Sequence, residues 1–197
     1  MKRAFDFLCS SLGLLFLSPI FLLVSIAIYF ESRGPVFFRQ ERVGKDGKSF
    51  RIIKFRSMVA GASEIGLKIT TAGDPRVTRV GRFLRRTKLD ELPQLINVWR
   101  GEMSLVGPRP EVPIYVALYS ERQTKVLSVR PGITDPASIE YADEEKILGG
   151  AIDAQRTYIE EILPKKLELN LRYIKNMSFF SDLKIILMTI AKVIEKA

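Results

Sequence analysis

Residues 7–30 carry no charged side chain. Wound as one straight helix they would reach about 36 Å, enough to cross a hydrocarbon core of about 30 Å. Two features constrain that helix. Lys2 and Arg3 precede it, and Arg33, Arg39, Arg42 and Lys45 follow it, so positive charge at both ends favours keeping both ends on the cytoplasmic side. Ser18-Pro19 stands at its middle. Pro19 has no N–H and clashes with the carbonyl of Leu15, so the helix must kink or break. Ser18 can return a hydrogen bond to a freed carbonyl where water is absent. Each half is then about 12 residues, or about 18 Å, roughly half the core thickness. A re-entrant hairpin that enters and leaves by one face fits; a kinked full span satisfies the same composition. A cleaved signal peptide fits poorly, because its apolar region is shorter and Glu31-Ser32-Arg33-Gly34-Pro35 is wrong for a cleavage site.

The 197 residues suit one domain with a real core. A net charge of +9 implies an anionic partner: nucleic acid, anionic lipid or a phosphorylated substrate. Cys9 is the single cysteine, so the chain has no internal disulfide and no Cys-rich zinc site. Histidine is absent. That excludes Ser–His and Cys–His nucleophile pairs and every His-based metal site. Catalysis must therefore run on carboxylates, Lys, Arg, Tyr or a hard cation held by oxygen.

Residues 87–110 answer that requirement. Asp90 and Glu91 are adjacent carboxylates, and Leu92, Leu95, Ile96 and Trp99 follow at helical spacing, which predicts a helix beginning near Asp90. Pro93 is tolerable in a first turn. Both carboxylates would then sit at the positive end of the helix dipole, where free N–H groups can also hold phosphate. Gly107-Pro108-Arg109-Pro110 stiffens the backbone around one guanidinium. Read without further context, the same features describe an Asp-capped helix and a Pro-rich turn.

Residues 35–58 read as a β-hairpin turning at Lys45-Asp46-Gly47-Lys48. Its alternating aromatic and basic residues suit either anionic headgroups or a substrate. Residues 59–78 read as a mobile loop. The segment 79–88 is basic, and Arg82, Arg85 and Arg86 share a face if helical. An amphipathic helix is expected over 113–127, a solvated helix start at Asp143-Glu144-Glu145, and a long helix over 154–176 interrupted by Pro164. Another amphipathic helix is expected over 179–197, suited to the membrane interface or the core.

Several ordered motifs closely resemble the bacterial sugar transferases, the monotopic phosphoglycosyl transferases. They are Leu17-Ser18-Pro19-Ile20, Lys54-Phe55-Arg56-Ser57-Met58, Leu89-Asp90-Glu91-Leu92-Pro93-Gln94, Gly107-Pro108-Arg109-Pro110 and Arg130-Pro131-Gly132-Ile133-Thr134. Leu163-Pro164, Tyr173-Ile174-Lys175-Asn176 and Asp182-Leu183-Lys184 complete the set. The likeness covers nearly the whole chain, and its size resembles the minimal, catalytic-domain-only form. It implies an α+β fold, mostly helical with a short β-hairpin: a monotopic membrane protein with an N-terminal re-entrant helix and interfacial amphipathic helices. Residues 1–33 would form the re-entrant helix and 34–197 a cytosolic, membrane-associated catalytic domain.

The resemblance further implies transfer of sugar-1-phosphate from a UDP-sugar to a polyprenol phosphate, with undecaprenyl phosphate the expected lipid, at the cytoplasmic face of the bacterial inner membrane. By matching motif, Asp90 is the nucleophile, Glu91 holds Mg²⁺, Arg109 binds substrate phosphate and Arg85 is a weaker phosphate ligand. Anionic lipids are further expected partners, and a homo-oligomer is possible. Many family members continue after Pro-Gly-Ile-Thr with Gly, an apolar residue, Ala or Trp, and Gln. Here Asp135-Pro136-Ala137-Ser138-Ile139 follows, so the sugar is not carried over. Two rivals stand beside this reading. One is a non-catalytic, membrane-tethered module that binds nucleotide sugar or anionic lipid. The other is a nucleic-acid binder, for which the chain shows no recognisable motif.

Overall fold

The computed structural model describes residues 2–62 and 69–196. Two helices, α1 (Lys2–Phe16) and α2 (Ser18–Glu31), meet at a bend of 60°. Neither helix alone is long and apolar enough to cross a membrane; only the bent pair has the length and composition. The break lies where Pro19 demanded it. Ser18 Oγ donates to the Leu15 carbonyl at 2.8 Å, satisfying the acceptor that Pro19 cannot reach. Leu15, Phe16, Leu22 and Leu23 around the bend are exposed.

Both ends of the pair are fastened to the rest of the protein. The Lys2 ammonium pairs with Asp182 and donates to the Tyr173 hydroxyl at 3.3 Å. Arg3 donates to the carbonyls of Val98 and Trp99 at 2.5 and 2.8 Å. Asp6, buried, accepts from Ser104 Oγ at 2.8 Å and from the Leu105 N–H at 3.1 Å. At the other end Glu31 accepts the Val80 N–H, and Arg56 donates to the Ser32 carbonyl at 2.6 Å. The flanking cations Lys2 and Arg3, expected as free topological charges, thus serve as bolts.

Strands β1 (Phe37–Val43) and β2 (Ser49–Phe55) form the expected hairpin, in antiparallel register Phe37↔Phe55 to Val43↔Ser49. Asp46 and Gly47 both take left-handed backbone, with φ of 57° and 74°. The hairpin does not lie out as a surface ribbon: Ile52, Ile53 and Phe55 of β2 are core residues. Of the loop expected over 59–78, residues 63–68 lie outside the described residues. The remainder is turns, with Met58 bridged to Val77.

Helix α3 (Arg79–Arg86) is capped by Thr78, whose side chain accepts the Gly81 N–H. A 3₁₀ turn (Leu89–Glu91) leads to α4 (Gln94–Arg100), then β3 (Ser104–Val106). The helix expected over 113–127 is not continuous. Short α5 (Pro113–Val116) ends, and a separate 3₁₀ stretch covers Gln123–Ser128. Ser120 and Gln123 explain the restart: each side chain accepts the other's backbone N–H, at 2.8 and 3.4 Å, a reciprocal cap in mid-run.

Strand β4 (Gly132–Thr134) pairs in parallel with β3, and α6 (Pro136–Glu140), α7 (Glu144–Gly149) and α8 (Ala154–Thr157) follow. A π turn (Tyr158–Ile162) joins α8 to α9 (Leu163–Lys175), so the predicted helix runs through with a widened turn. Pro164 is accommodated in the first turn of α9 and does not end it. The last helix is α10 (Phe179–Lys196). The largest core cluster gathers Val112, Tyr115, Val126, Leu148, Tyr158, Ile162 and Leu167 beneath α9. A second, Val24, Ile28, Phe55 and Leu84, joins α2 to the hairpin and α3.

Candidate active site

The helix expected near Asp90 begins later. Asp90 and Glu91 lie in the 3₁₀ turn ahead of α4, where Glu91 N–H donates to Lys88 O, Leu92 N–H to Leu89 O and Leu95 N–H to Leu92 O. Pro93, lacking an N–H, cannot supply the α-helical bond to Leu89, and the chain winds tighter. Adjacent side chains on such a turn diverge by about 120°. Lys88, which opens the turn, is one of two non-glycine residues with positive φ among the described residues, at 57°.

Both carboxylates are buried, and their surroundings differ. Glu91 is held by two cations. Lys54 Nζ donates to its Oε1 at 2.9 Å; Arg109 donates to Oε1 at 2.5 Å and to Oε2 at 3.2 Å. Burial alone would raise the Glu91 carboxyl, but Arg109 and Lys54 overcome it and hold the group well below the usual carboxylate range. Asp90 Oδ1 is buried with no hydrogen-bond partner. Burial first, then the Glu91 charge, push the Asp90 carboxyl up, against Lys54, Lys88 and Arg85. Two adjacent carboxyls are thereby driven to opposite ends of their range, the arrangement that separates chemical roles. An orphaned buried carboxylate oxygen is costly unless a ligand completes it.

Arg109 reaches this pair because two glycine motifs meet. Gly107 N–H donates to Thr134 O, and Gly132 N–H donates to Pro108 O, each at 3.0 Å. A Cβ on Gly132 would stand 2.1 Å from Gly107 N. The turn 107–110 and the turn 130–134 are therefore one backbone-to-backbone junction that only glycine permits. Asp135, fully buried, accepts the Arg109 N–H at 2.7 Å.

A cleft of about 2010 Å³ opens over these groups. Asp90, Glu91, Arg109, Arg85, Lys54 and Lys88 line it, as do Gly13 and Leu17 at the helix bend. The structure thus brings Asp90, Glu91 and Arg109 together. Arg85 lines the same cleft but is engaged by Glu145 of α7. The acidic run at 143–145 is correspondingly more than a solvated helix start, since Glu144 pairs with buried Lys166 at 2.7 Å. Ser18 and Pro19 form the bend and do not line the cleft. Sequence reasoning missed Lys54, Asp135 and Lys166. Lys54 stood within a quoted motif, and its alternation with buried Ile53 and Phe55 was the available signal.

Among the described residues no three metal-ligating side chains cluster. Glu91 Oε2 accepts a single bond, at 3.2 Å from Arg109, and keeps a lone pair for a hard cation such as Mg²⁺, which needs only one or two protein carboxylates when it arrives on a diphosphate.

A buried carboxylate pair, one member clamped by a guanidinium, lines a cleft that reaches an apolar bent helix pair, and the fixed positive charge there suits a phosphorylated ligand. Comparison with known proteins narrows the class. A family model described as bacterial sugar transferase matches residues 1–196, and the chain belongs to that family. The undecaprenyl-phosphate glucose phosphotransferase of Komagataeibacter xylinus is 43% identical over 198 residues, covering 97% of this chain and 35% of that protein. The UDP-glucose:undecaprenyl-phosphate glucose-1-phosphate transferase of Escherichia coli (strain K12) is 40% identical over 200 residues, covering 98% and 40%. An uncharacterized sugar transferase, EpsL of Bacillus subtilis (strain 168), is 40% identical over 195 residues, covering 98% and 87%. The chain spans less than half the length of the first two relatives.

Proposed function

We propose that the chain is a phosphoglycosyl transferase that moves sugar-1-phosphate from a UDP-sugar to undecaprenyl phosphate, releasing UMP. The observation that carries this reading is the orphaned, buried Asp90 oxygen beside a Glu91 held by Lys54 and Arg109. Asp90 attacks the phosphorus that bears the sugar. The new bond is aspartyl O–P; the bond that breaks joins that phosphorus to the bridging oxygen, and UMP leaves with its electron pair. A phosphate oxygen of the lipid then attacks the same phosphorus, and the Asp90 carboxylate departs unchanged. Covalent catalysis divides one difficult transfer into two displacements. The Asp90 carboxylate and the lipid phosphate are both already anions, so neither step needs a general base, which fits a chain without histidine.

Arg109 and Lys54 supply fixed positive charge where the diphosphate gathers negative charge. Mg²⁺, when bound, neutralises the diphosphate and eases departure of UMP, and Glu91 is the carboxylate that would hold it. Asp90 remains the free nucleophile.

The re-entrant reading of α1 and α2 belongs to the same proposal. Its support is the fastening of both ends to one body, through Lys2–Asp182 at the start and Arg56–Ser32 at the finish. A spanning helix would need those ends on opposite faces. The catalytic body then sits on the cytoplasmic face, where nucleotide sugars are made.

The test is a UMP-release screen across UDP-sugars with undecaprenyl phosphate and Mg²⁺. UMP release that depends on the lipid for multiple turnovers supports the proposal. Binding of a UDP-sugar without UMP release would favour a non-catalytic module.

A further inference from the structure

We propose that the polar wall beyond Arg109 is the subsite for the sugar of the donor, as distinct from its nucleoside. The inference rests on the transferase reading above. The wall consists of Arg42, Glu111, Ser138, Glu144, Tyr158 and Lys166, all lining the cleft. Glu111 stands two residues beyond Arg109, and Glu144 acts electrostatically on the Arg109 guanidinium.

Five of these side chains form one connected network, and Ser138 lines the same cleft without joining it. Lys166 Nζ donates to Glu144 Oε2 at 2.7 Å and lies 5.4 Å from the centre of the Tyr158 ring. The Tyr158 hydroxyl donates to Glu111 Oε1 at 2.8 Å, and Arg42 pairs with the same carboxylate at 3.7 Å. Lys166 is only 8% exposed. Buried ion pairs are weak stabilisers, because desolvation offsets their attraction, and an apolar wall would hold the fold as well. What the network adds is a rigid row of carboxylate, ammonium and hydroxyl edges against a cleft. That is the chemistry of hydroxyl recognition.

Two observations favour a sugar over a base at this wall. A base gains affinity from an open aromatic face to stack on. Tyr158 and Tyr115 are 2% and 3% exposed and pack on each other with ring centres 5.1 Å apart, so neither offers one. The wall also has unmet capacity. The Ser138 hydroxyl and Arg42 Nε are buried without a hydrogen-bond partner.

The test compares kcat/KM for UDP-glucose, UDP-galactose, UDP-N-acetylglucosamine and UDP-N-acetylgalactosamine, with undecaprenyl phosphate, in wild type, Glu144→Gln and Ser138→Ala. Inhibition by UMP is measured in parallel. Glu144→Gln should change the ratio between the best and second-best sugar by about tenfold, and Ser138→Ala by about threefold. UMP inhibition should stay within about twofold, since UMP carries no transferred sugar. The Ser138 hydroxyl has no intramolecular bond to lose, so a shifted ratio in that variant is not a folding defect. Equal loss on all four sugars, or weaker UMP inhibition with unchanged ratios, would overturn the subsite. A wild type that releases UMP from none of them would overturn the transferase reading itself.

Discussion

Asp135 holds Arg109 by its backbone: Oδ2 accepts the Arg109 N–H at 2.7 Å while Oδ1 accepts the Ser138 N–H at 2.5 Å. One fully buried carboxylate thus fixes the guanidinium-bearing turn to the start of α6. Asp135→Ala should cost about 1–3 kcal/mol of stability, by losing a helix cap and stranding a buried N–H. It should also lower kcat/KM for UMP release by about tenfold or more, because Arg109 loses its fixed position. Asp135→Asn keeps one acceptor oxygen and sets an NH₂ against the other N–H, so it should lie between. Chemical denaturation and steady-state kinetics on the same preparations check both effects.

Asp90 and Glu91 should fail differently. Wild type given UDP-sugar without lipid should release up to one UMP per protein and gain a sugar-phosphate mass on Asp90. Asp90→Asn should form no adduct, with turnover down about a thousandfold or more. Glu91→Gln should also be severely impaired, with partial rescue by higher Mg²⁺ or by Mn²⁺. Intact-mass spectrometry and peptide mapping decide. An adduct on Glu91, or strictly lipid-dependent UMP release with no adduct, would favour direct attack by the lipid phosphate.

The pH profile carries a signature of the same pair. The Asp90 carboxyl is pushed up by burial and by Glu91, and Asp90 must be ionised to attack. The acid limb of kcat/KM should therefore fall above the ordinary aspartate value of about 3.9. Lys88 pulls Asp90 down, so Lys88→Gly should move that limb further up in pH. The same change relieves a left-handed lysine and should leave stability unchanged or improved by up to about 1 kcal/mol. Linkage runs oppositely for the two groups. Asp90, raised in the folded state, contributes stability below about pH 3.9 that is lost as pH rises through its folded value. Glu91, lowered, contributes stability above about pH 4.3 that is lost as pH falls through its folded value.

The bend should be removable. Pro19→Ala with Ser18→Ala restores the backbone donor and deletes the Ser18–Leu15 bond. The population should shift toward a straighter helix pair, with lower turnover. Cysteine accessibility at positions 2 and 33, in a Cys9→Ser background, reads the topology. Periplasmic labelling at position 2 with cytoplasmic labelling at 33 would rule out the re-entrant arrangement in the parent.

Gly132→Ala tests the junction between the two turns. Its Cβ would meet Gly107 N at 2.1 Å and Gly107 O at 2.4 Å, both backbone. The variant should lose about 3 kcal/mol or more, measured by thermal unfolding, or fail to accumulate.

What was legible in the sequence follows from the range of the forces involved. The helix break, the hairpin and the α10 helix rest on local rules: a missing N–H at Pro19, left-handed turn residues at Asp46-Gly47, and apolar spacing. The candidate residues Asp90, Glu91 and Arg109 were legible as motifs. Their opposite environments were not, because Lys54 and Arg109 reach Glu91 from 37 and 18 positions away in the chain. The run over 113–127 misled because its apolar spacing outweighed Ser120 and Gln123, which cap each other. Lys2 and Arg3 were readable as charges, yet nothing local says that one will find Asp182 and the other the end of α4.

The two fastenings of α1 and α2 bear on how such a protein senses its membrane. A spanning helix is matched to the whole bilayer, so a thicker or thinner membrane tilts it, strains it or sorts it elsewhere. On the proposed re-entrant arrangement, a bent pair of 15 and 14 residues with both ends bonded to one body would be gauged against a single leaflet. On the re-entrant reading, the height of Asp90 over the headgroups is set by protein bonds at Lys2, Arg3, Glu31 and Arg56, and bilayer thickness drops out. Turnover should then hold steady across phosphatidylcholine bilayers of different acyl length, where a spanning anchor would show an optimum.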